Sequence, residues 1–284
     1  MENSDDQPVL IAALYLFFDF NDFEDWLPRV QQVCDDNDLR GIMLLAHEGI
    51  NGTVGGPEAG IHRLLDFFRA DPRMAKLEAK FSRAPKTPFR REQVRVRLKK
   101  EIVTMGVPDI DPLAEVGEYV SPDKWNDLIN DPEVVLVDTR NDYETLIGKF
   151  KGAIEPNTED FRHFPEWVDE HLDPVKQPKV AMYCTGGIRC EKATALMKRK
   201  GFKEVYHLHG GILKYLEETS PEQSQWEGEC FVFDHRVSVD HALQPGHYAL
   251  RWECGHPRPV DSEEESCPIC RRRADAHDNA DETL

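Results

Sequence analysis

The sequence predicts an α/β protein in which two domains follow one another and a cysteine-containing tail comes last. The 284 residues are enough for two domains of ordinary size, and a hydrophobic content of 40% can fill their cores. Strand and helix signals alternate up to residue 219, which is typical of sheets covered by helices. The apolar strand signal at 179–183 runs into a loop that begins with Cys184, which indicates where the chemistry lies.

Residues 8–104 are predicted to form the first domain. Apolar runs, helical periodicity and glycine or proline punctuation give the order β-α-β-β-α-β, with one more strand at the end. This is the order of a ferredoxin-like, split βαβ domain. The predicted elements are strand 9–18, helix 22–34, strand 39–46, a glycine-punctuated turn 47–54 into the third strand, helix 57–70, strand 77–84 and strand 94–104.

The end of this domain is basic, although the chain as a whole has a net charge of −18. That net charge argues against loose, non-specific binding of nucleic acid but allows a local basic patch. Charged and apolar residues alternate over 94–99, so a strand here carries its charges on one face. A solvated face paired with carboxylates and a face that binds a phosphate backbone are about equally good explanations. The candidate phosphate contacts are Arg90, Arg91, Arg95, Arg97, Lys99 and Lys100.

Residues 105–120 are predicted to be a linker, because glycine and proline recur there among acidic residues. Residues 121–219 are predicted to form the second domain. Its strands alternate with helices, which indicates a parallel sheet covered on both faces. The predicted strands are 134–137, 180–183 and 205–208, and the predicted helices begin near residues 121, 142, 161, 191 and 211.

The loop after the strand 179–183 is the predicted reactive site. Open α/β sheets hold their sites at the carboxyl ends of strands. Backbone N–H groups of the loop and the N-terminus of the next helix favour a thiolate at Cys184, and Arg189 adds a fixed positive charge. A buried structural cysteine is the less favoured alternative, because two glycines and an arginine follow it. The residues between Cys184 and Arg189 are Thr185, Gly186, Gly187 and Ile188.

Several motifs resemble known families. Residues 138–140, 148–154, the Cys184 loop and 209–212 resemble a rhodanese domain in its usual order. Over roughly residues 8–250 the chain resembles the tRNA uridine(34) hydroxylase family, on the motifs 46–54, 99–106, 183–192 and 231–236. This resemblance implies an oxygen-dependent hydroxylation at carbon 5 of the wobble uridine, with molecular oxygen as co-substrate and the anticodon arm of tRNA as partner.

Three chemistries compete for Cys184. Hydrolysis of phosphate esters uses a C-x5-R loop, and the loop here is C-x4-R, one residue too short for that cradle. Resemblance to rhodaneses implies sulfur transfer through a persulfide on Cys184. For the hydroxylation, a thiolate that adds to carbon 6 of uracil would make an enolate that loop N–H groups and Arg189 could stabilise. A module that binds RNA without catalysis is a further alternative.

The tail, residues 220–284, contains a candidate zinc site. Cys254, Cys267 and Cys270 have a plausible zinc spacing. Much of the family has two C-x-x-C pairs here, and Arg251 stands in this chain where the first cysteine is expected. His256 or His247 is therefore the candidate fourth ligand. The last dozen residues are polar and acidic and are predicted to be disordered.

The sequence also limits what the protein can be. The apolar run 9–18 is too short for a membrane span and lacks the basic start of a signal peptide. Seven cysteines, an odd number, indicate reduced thiols and a cytoplasmic protein. No dinucleotide fingerprint, P-loop or flavin signature occurs, so no nucleotide cofactor is expected. Nothing in the sequence specifies an oligomeric state.

Other residues near these motifs have two interpretations each. Asp138 and Arg140 are expected to pair and to orient neighbouring loops, with a purely structural role as the alternative. Cys190 is expected to pack at the start of a helix, with a resolving-thiol role as the less favoured alternative. His207 and His209 are expected to be hydrogen-bonded structural histidines, although His209 could face the pocket. The turn residues Glu48 and Asn51 serve the backbone or contact the substrate.

Overall fold

The N-terminal part of the chain folds around a five-stranded sheet in the computed structural model, which describes residues 8–262, 264 and 266–281. The strand order is β4-β1-β3-β2-β5, with antiparallel neighbours except that β5 runs parallel to β2. The predicted ferredoxin-like fold is thereby confirmed. The elements are β1 (Val9–Phe17), α1 (Phe23–Asp35), β2 (Arg40–Ala46), β3 (Gly49–Gly56), α2 (Glu58–Arg69), β4 (Ala79–Ala84) and β5 (Val94–Leu98).

Both helices pack on one face of this sheet, because alternate residues of each strand are apolar and point towards them. Leu14, Met43 and Leu45 lie there in one core with Trp26 and Leu64 of the helices. The residues between them in the strands point to the opposite face, which carries no helix of this domain. That uncovered face is turned towards the Cys184 loop of the second domain.

Strand β5 is shorter than the predicted strand 94–104. Its partner β2 ends at Ala46, and the last register pair joins Leu45 to Leu98. Residues beyond Leu98 have no strand to pair with, so the chain leaves the sheet after Lys99 donates its N–H to the Leu45 carbonyl. The alternation expected over 94–99 holds for the buried Val94 and Val96 but fails at Leu98, which is 40% exposed.

The second sheet has four parallel strands in the order β6-β10-β9-β7, as predicted for a rhodanese-like α/β domain. One core on each face packs helices against it. Its elements are β6 (Glu118–Val120), α3 (Pro122–Ile129), β7 (Val134–Asp138), α4 (Asp142–Thr145), β8 (Gly148–Phe150), α5 (Phe164–His171), β9 (Lys179–Tyr183), α6 (Ile188–Arg199), β10 (Glu204–Leu208) and α7 (Gly211–Glu218).

The predicted linker 105–120 is packed against the second domain along its length. Met105 is 1% exposed and lies in the core beneath α6, with Val107 and Ile110 beside it. The segment ends in β6, which pairs with β10. These apolar residues, scattered among prolines and acidic groups, explain why the segment is docked although its composition is that of a linker.

The C-terminal segment returns to the second domain and then forms a small unit of its own. Strand β11 (Trp226–Gly228) pairs with β8, β12 (Cys230–Phe231) pairs with β13 (Ser238–Val239), and β14 (Tyr248–Leu250) pairs with β15 (Pro257–Pro259). Helix α8 (Pro268–Asp281) follows. The prediction of a disordered end is therefore wrong up to Asp281, and residues 282–284 lie outside the described residues. Within the described ranges, no helix has the length and apolar character needed to cross a bilayer.

Candidate active site

Cys184 lies at the carboxyl end of the interior strand β9, in the loop that leads into α6. Two glycines, one in this loop and one at the start of α7, are required by the backbone geometry here. Gly187 has a φ of +101°, and a Cβ atom on it would lie 2.8 Å from the Tyr15 hydroxyl. Gly211 has a φ of +69°, and a Cβ atom there would lie 2.5 Å from the Cys184 carbonyl oxygen. Without that atom, α7 approaches closely and the Ile212 N–H donates to the same oxygen at 3.0 Å.

The buried Cys184 thiol lies in surroundings that favour its thiolate. The Gly187 N–H donates to Sγ at 3.1 Å. Burial opposes ionisation, but the polar side chain of the neighbouring Cys190, the charge of Arg189 and backbone N–H groups outweigh it and lower the pKa of Cys184 to about 5. Burial and the neighbouring Cys184 raise the pKa of Cys190, so Cys190 stays a thiol and can donate. Cys184 is thus the ionised member of the pair.

The charge of Cys184 can be titrated directly. The difference in ultraviolet thiolate absorbance between the wild type and Cys184→Ser is expected to have its midpoint near pH 5, because the loop lowers the pKa of this thiol to about 5. The thiolate, the reactive form, is then present above that pH and lost below it. A midpoint near the ordinary value of 9.0 would contradict this description of the loop.

Arg189 is buried and is held by a carboxylate that the sequence analysis did not select, Glu144. Nη1 and Nη2 of Arg189 lie 2.5 and 2.7 Å from the two oxygens of Glu144. Burial raises the pKa of Glu144, but the Arg189 charge outweighs that effect and lowers it. The Thr185 hydroxyl donates to Glu144 at 3.2 Å. The charge of Arg189 therefore stays near Cys184, while Glu144 uses one N–H of each of its terminal nitrogens.

Glu144 belongs to the short helix α4, and its Oε1 accepts the Asn141 N–H at 3.2 Å, which is one half of a capping box. The spacing of Asn141 and Glu144 in the sequence could have indicated this helix start, although it could not have indicated the partner of Glu144. Arg140 and Asp138 form a fully buried pair at 2.6 Å, as expected. Arg140 also donates to the Glu144 carbonyl at 3.2 Å, so the pair holds α4 beside the loop.

The uncovered face of the N-terminal sheet forms the wall opposite the Cys184 loop. The register of the strands aligns its side chains in two rows. All members of both rows except the two arginines line a cavity of about 540 Å³, which Cys184 also lines. The arginines continue the same face beyond the cavity. The first row is Lys80, Ala13, Thr53, Ile42 and Arg95, and the second is Tyr15, Asn51, Leu44 and Arg97.

Tyr15 connects this wall to the helix that follows the loop. Its hydroxyl donates to Oε1 of Glu191 at 3.1 Å, and the Tyr119 hydroxyl donates to Oε2 at 2.6 Å. Burial raises the pKa of Glu191. Lys80 Nζ lies 4.5 Å from the centroid of the Tyr15 ring. Tyr15 and Lys80 are pocket residues that were not predicted, because only the folded sheet brings them to Cys184.

A second contact between the two domains involves Lys192, which is 2% exposed. Its Nζ lies 2.8 Å from Oε2 of Glu48 and 2.6 Å from Oε2 of Glu101. Glu48 also accepts the Ile102 N–H at 2.6 Å. Glu48 was expected either to serve the backbone or to contact the substrate, and this contact fits the structural interpretation. Asn51 lines the cavity, and its Nδ2 donates to the Ile102 carbonyl at 2.8 Å.

Two of the six candidate phosphate contacts, Arg95 and Arg97, lie on the strand beside the cavity, and the other four lie within five residues of them in the chain. Arg95 and Arg97 are register partners of Ile42 and Leu44, which line the cavity. Desolvation and the nearby charges of Arg97 and Arg91 lower the pKa of Arg95. Among the described residues none of the six forms a salt bridge, so neighbouring carboxylates do not neutralise them. The other members, Arg90, Arg91, Lys99 and Lys100, are exposed.

The candidate metal ligands converge in the C-terminal segment. One donor atom from each of Cys254, His256, Cys267 and Cys270 lies within 4.8 Å of all the others. His256 Nδ1 is 3.2 Å from Sγ of Cys267 and 3.7 Å from Sγ of Cys270. Three thiols and one imidazole at these separations are a donor set that suits tetrahedral Zn²⁺.

The two other residues considered for this site lie elsewhere. Arg251, which occupies the place of an expected cysteine, donates from Nη1 to the Glu264 carbonyl at 2.9 Å. His247 pairs with Glu229 at 2.8 Å, which leaves His256 as the histidine of the cluster.

His207 and His209 do not line the cavity. His209 lies 3.3 Å from Lys214 and 3.8 Å from Glu78. His207 is buried against the Tyr119 ring, and burial lowers its pKa to about 3. Neither of its ring nitrogens has a hydrogen-bond partner in the described part of the chain. The expectation of a hydrogen-bonded histidine is therefore wrong for His207.

Comparisons with known proteins identify both parts of the chain. A family model described as UPF0176 acylphosphatase like domain matches residues 9–102, and one described as Rhodanese-like domain matches residues 121–218. The tRNA uridine(34) hydroxylase of Rhizobium etli is 57% identical over 262 residues, 92% of this chain and 84% of that protein. That of Picosynechococcus sp. is 53% identical over 270 residues, 92% and 89% respectively. The chain belongs to the tRNA uridine(34) hydroxylase family.

Proposed function

We propose that this protein is an enzyme that hydroxylates carbon 5 of uridine 34, the wobble position of tRNA, to give 5-hydroxyuridine in an oxygen-dependent reaction. The observation that carries the proposal is the cavity beside Cys184. The Cys184 thiolate lines one side of it and the N-terminal sheet lines the other. The same sheet also carries Arg95 and Arg97, which form no salt bridge in the described part of the chain. The names of relatives at 57% and 53% identity support uridine 34 as the target.

In this proposal each part of the chain has its own role. Residues 8–104 hold the anticodon arm, residues 121–219 form the catalytic domain, residues 105–120 join them and residues 220–284 form an extension. The phosphate backbone lies along the six candidate contacts, with Arg95 and Arg97 nearest the cavity. Anticodon bases are single-stranded, so uridine 34 can leave its stack and enter the cavity at little cost. We expect the enzyme to act on tRNA in the cytoplasm.

Cys184 activates the base by covalent attack. Carbon 5 of uracil is a poor nucleophile until a thiolate adds to carbon 6. The new bond from sulfur to carbon 6 sends the electron pair of the ring double bond onto the oxygen at carbon 4, which makes an enolate. Backbone N–H groups of the loop are suited to stabilise that oxygen. Because Glu144 binds Arg189 through one N–H of each terminal nitrogen and so fixes the guanidinium, we assign Arg189 a positioning role that keeps the loop and its charge in place.

The enolate carbon 5 then reacts with molecular oxygen. One oxygen atom stays on the base, and the other is reduced to water with two electrons and two protons, which a reductant of the thiol class can supply. Loss of the carbon 5 proton and departure of the Cys184 thiolate restore the ring double bond. Uridine, O₂ and two thiols thereby give 5-hydroxyuridine, water and one disulfide, which balances atoms and electrons.

Sulfur transfer through a persulfide on Cys184 is the second candidate. The match of residues 121–218 to a rhodanese-like domain and the short C-x4-R loop favour it. The two candidates are separated by nucleoside mass spectrometry and by turnover of thiosulfate and cyanide. An oxygen added to uridine 34, with slow thiosulfate turnover, supports the hydroxylase. Fast thiosulfate turnover without RNA, and unmodified uridine 34, would support the sulfurtransferase instead.

We also propose that the cluster of Cys254, His256, Cys267 and Cys270 holds a structural zinc ion. When bound, the ion would link the loop around Cys254 to the start of α8. Helix α8 in turn carries Arg273, which lies 2.9 Å from Asp142 in the helix that also provides Glu144. The bound zinc ion would thus help to hold α8 against α4, the helix that provides Glu144.

Purified protein is expected to contain about one zinc ion per chain, and His256→Ala is expected to weaken zinc binding by more than about tenfold, because it leaves only three ligands. Metal analysis and competition with a coloured chelator measure both. His247→Ala is the matched control, since His247 lies in the same segment but pairs with Glu229. Zinc binding that survives His256→Ala unchanged would contradict the assigned ligand set.

A further inference from the structure

Phe233 is an exposed aromatic side chain at the cavity that contains Cys184. Large apolar side chains are usually covered, yet 55% of Phe233 is exposed. It lines the cavity together with Cys184, Arg189 and the residues of the N-terminal sheet. A single exposed aromatic needs no explanation on an open surface, but this one faces a cavity with a reactive thiolate.

The turn that carries Phe233 is held rigidly. Arg236 donates to both carboxylate oxygens of Asp234, with Nη2 at 2.5 Å from Oδ2, and this pair is buried. Nη1 of Arg236 also donates to the Ser82 hydroxyl at 2.8 Å, and the His235 N–H donates to the Pro88 carbonyl at 2.8 Å. Both acceptors belong to the N-terminal domain. The turn therefore spans the two walls of the cavity and fixes the position of Phe233.

The neighbours of Phe233 support its ring but leave much of it open. The Phe231 ring meets it edge to face, with centroids 5.3 Å apart. The guanidinium carbon of Arg189 lies over the ring, 6.0 Å from its centroid. A flat aromatic group, fixed in direction and backed by a cation, is the kind of surface on which a nucleobase stacks.

We propose that Phe233 is the stacking platform for the pyrimidine that enters the cavity. This inference rests on the proposed function, because it takes uridine 34 as the entering base. Stacking on Phe233 replaces the contacts that the base loses when it leaves the anticodon stack. It also limits the tilt of the ring, so that carbon 6 is presented to Cys184 in one orientation.

Two RNA stem-loops that differ only at position 34 test the proposal, one with uridine and one with an abasic nucleotide. Phe233→Ala is expected to weaken binding of the uridine RNA by about tenfold and that of the abasic RNA by less than about twofold. Phe233→Trp keeps an aromatic face and is expected to bind both RNAs like the wild type. Trp252→Ala removes an aromatic residue that is 95% exposed outside the cavity, and it is expected to change neither affinity.

Equal weakening of both RNAs by Phe233→Ala, or no weakening of either, would overturn the proposal, since a purely structural role does not depend on the base. Formation of 5-hydroxyuridine by the wild type is measured separately. If it forms without the base-dependent effect of Phe233→Ala, the proposed function stands and the stacking role falls. If the base-dependent effect occurs and no 5-hydroxyuridine forms, the stacking role stands and the proposed function falls.

Discussion

Cys184→Ser is expected to lower kcat/KM for 5-hydroxyuridine formation by at least about a thousandfold, because it removes the nucleophile that activates the base. The loop lowers the pKa of the Cys184 thiol to about 5, so the thiolate dominates at neutral pH. A serine hydroxyl does not ionise there. Serine is similar in size and can accept the Gly187 N–H that Sγ now accepts, so the loop should keep its shape and tRNA affinity should change by less than about twofold.

Cys190→Ser is the matched control for that experiment. The neighbouring Cys190 side chain helps to lower the pKa of Cys184, and a serine hydroxyl keeps a polar donor at its position. We therefore expect Cys190→Ser to stay active, within about tenfold of the wild type. Full activity in Cys184→Ser together with inactivity in Cys190→Ser would show that the nucleophile is the other cysteine. Both variants are assayed on the same tRNA under saturating oxygen.

Replacing Arg95 and Arg97 together with glutamate is expected to weaken tRNA binding by about a hundredfold and to reduce the slope of log affinity against log salt by about two. The two arginines extend the rows of side chains that line the cavity, and no salt bridge neutralises them in the described part of the protein. Charge reversal therefore removes two phosphate contacts and adds repulsion. Filter binding or fluorescence anisotropy over a salt series measures both quantities.

The control for this double variant is Arg29→Glu with Arg63→Glu, which changes the net charge by the same amount. Arg29 and Arg63 are exposed on α1 and α2, the helices on the opposite face of the same sheet. We expect this control to change tRNA affinity by less than about threefold, through net charge alone. Equal losses in both double variants would show that the basic strand is not the binding face.

The sequence was a good guide where local signals decide the structure. The order of the predicted strands and helices in both domains follows from apolar runs and glycine or proline punctuation, and it is confirmed, although the short strands β6 and β8 were not predicted. The Cys184 loop was recognisable because a strand, two glycines and a helix start lie within a few residues of one another. Local patterns predicted the ends of elements less well. The length of β5, for example, depends on where its partner strand β2 ends.

The parts of the site that could not be predicted depend on contacts between distant residues. Glu144 lies 45 residues before Arg189 in the chain, and only the fold brings the two together. Tyr15 and Lys80 reach Cys184 because the N-terminal sheet turns its uncovered face to the second domain. Their own neighbours in the sequence give no sign of this. The composition of the last residues suggested disorder, but α8 continues to Asp281, because helix formation does not require an apolar sequence.

The most direct test of the proposed function is mass spectrometry of nucleoside 34 in tRNA from cells that lack their own family member and grow under isotopically heavy oxygen gas. These cells receive either this protein or its Cys184→Ser variant. The proposal predicts one heavy oxygen on uridine 34 with the wild type and unmodified uridine with the variant. Unmodified uridine with both proteins, or an added oxygen that comes from water, would contradict oxygen-dependent hydroxylation at Cys184.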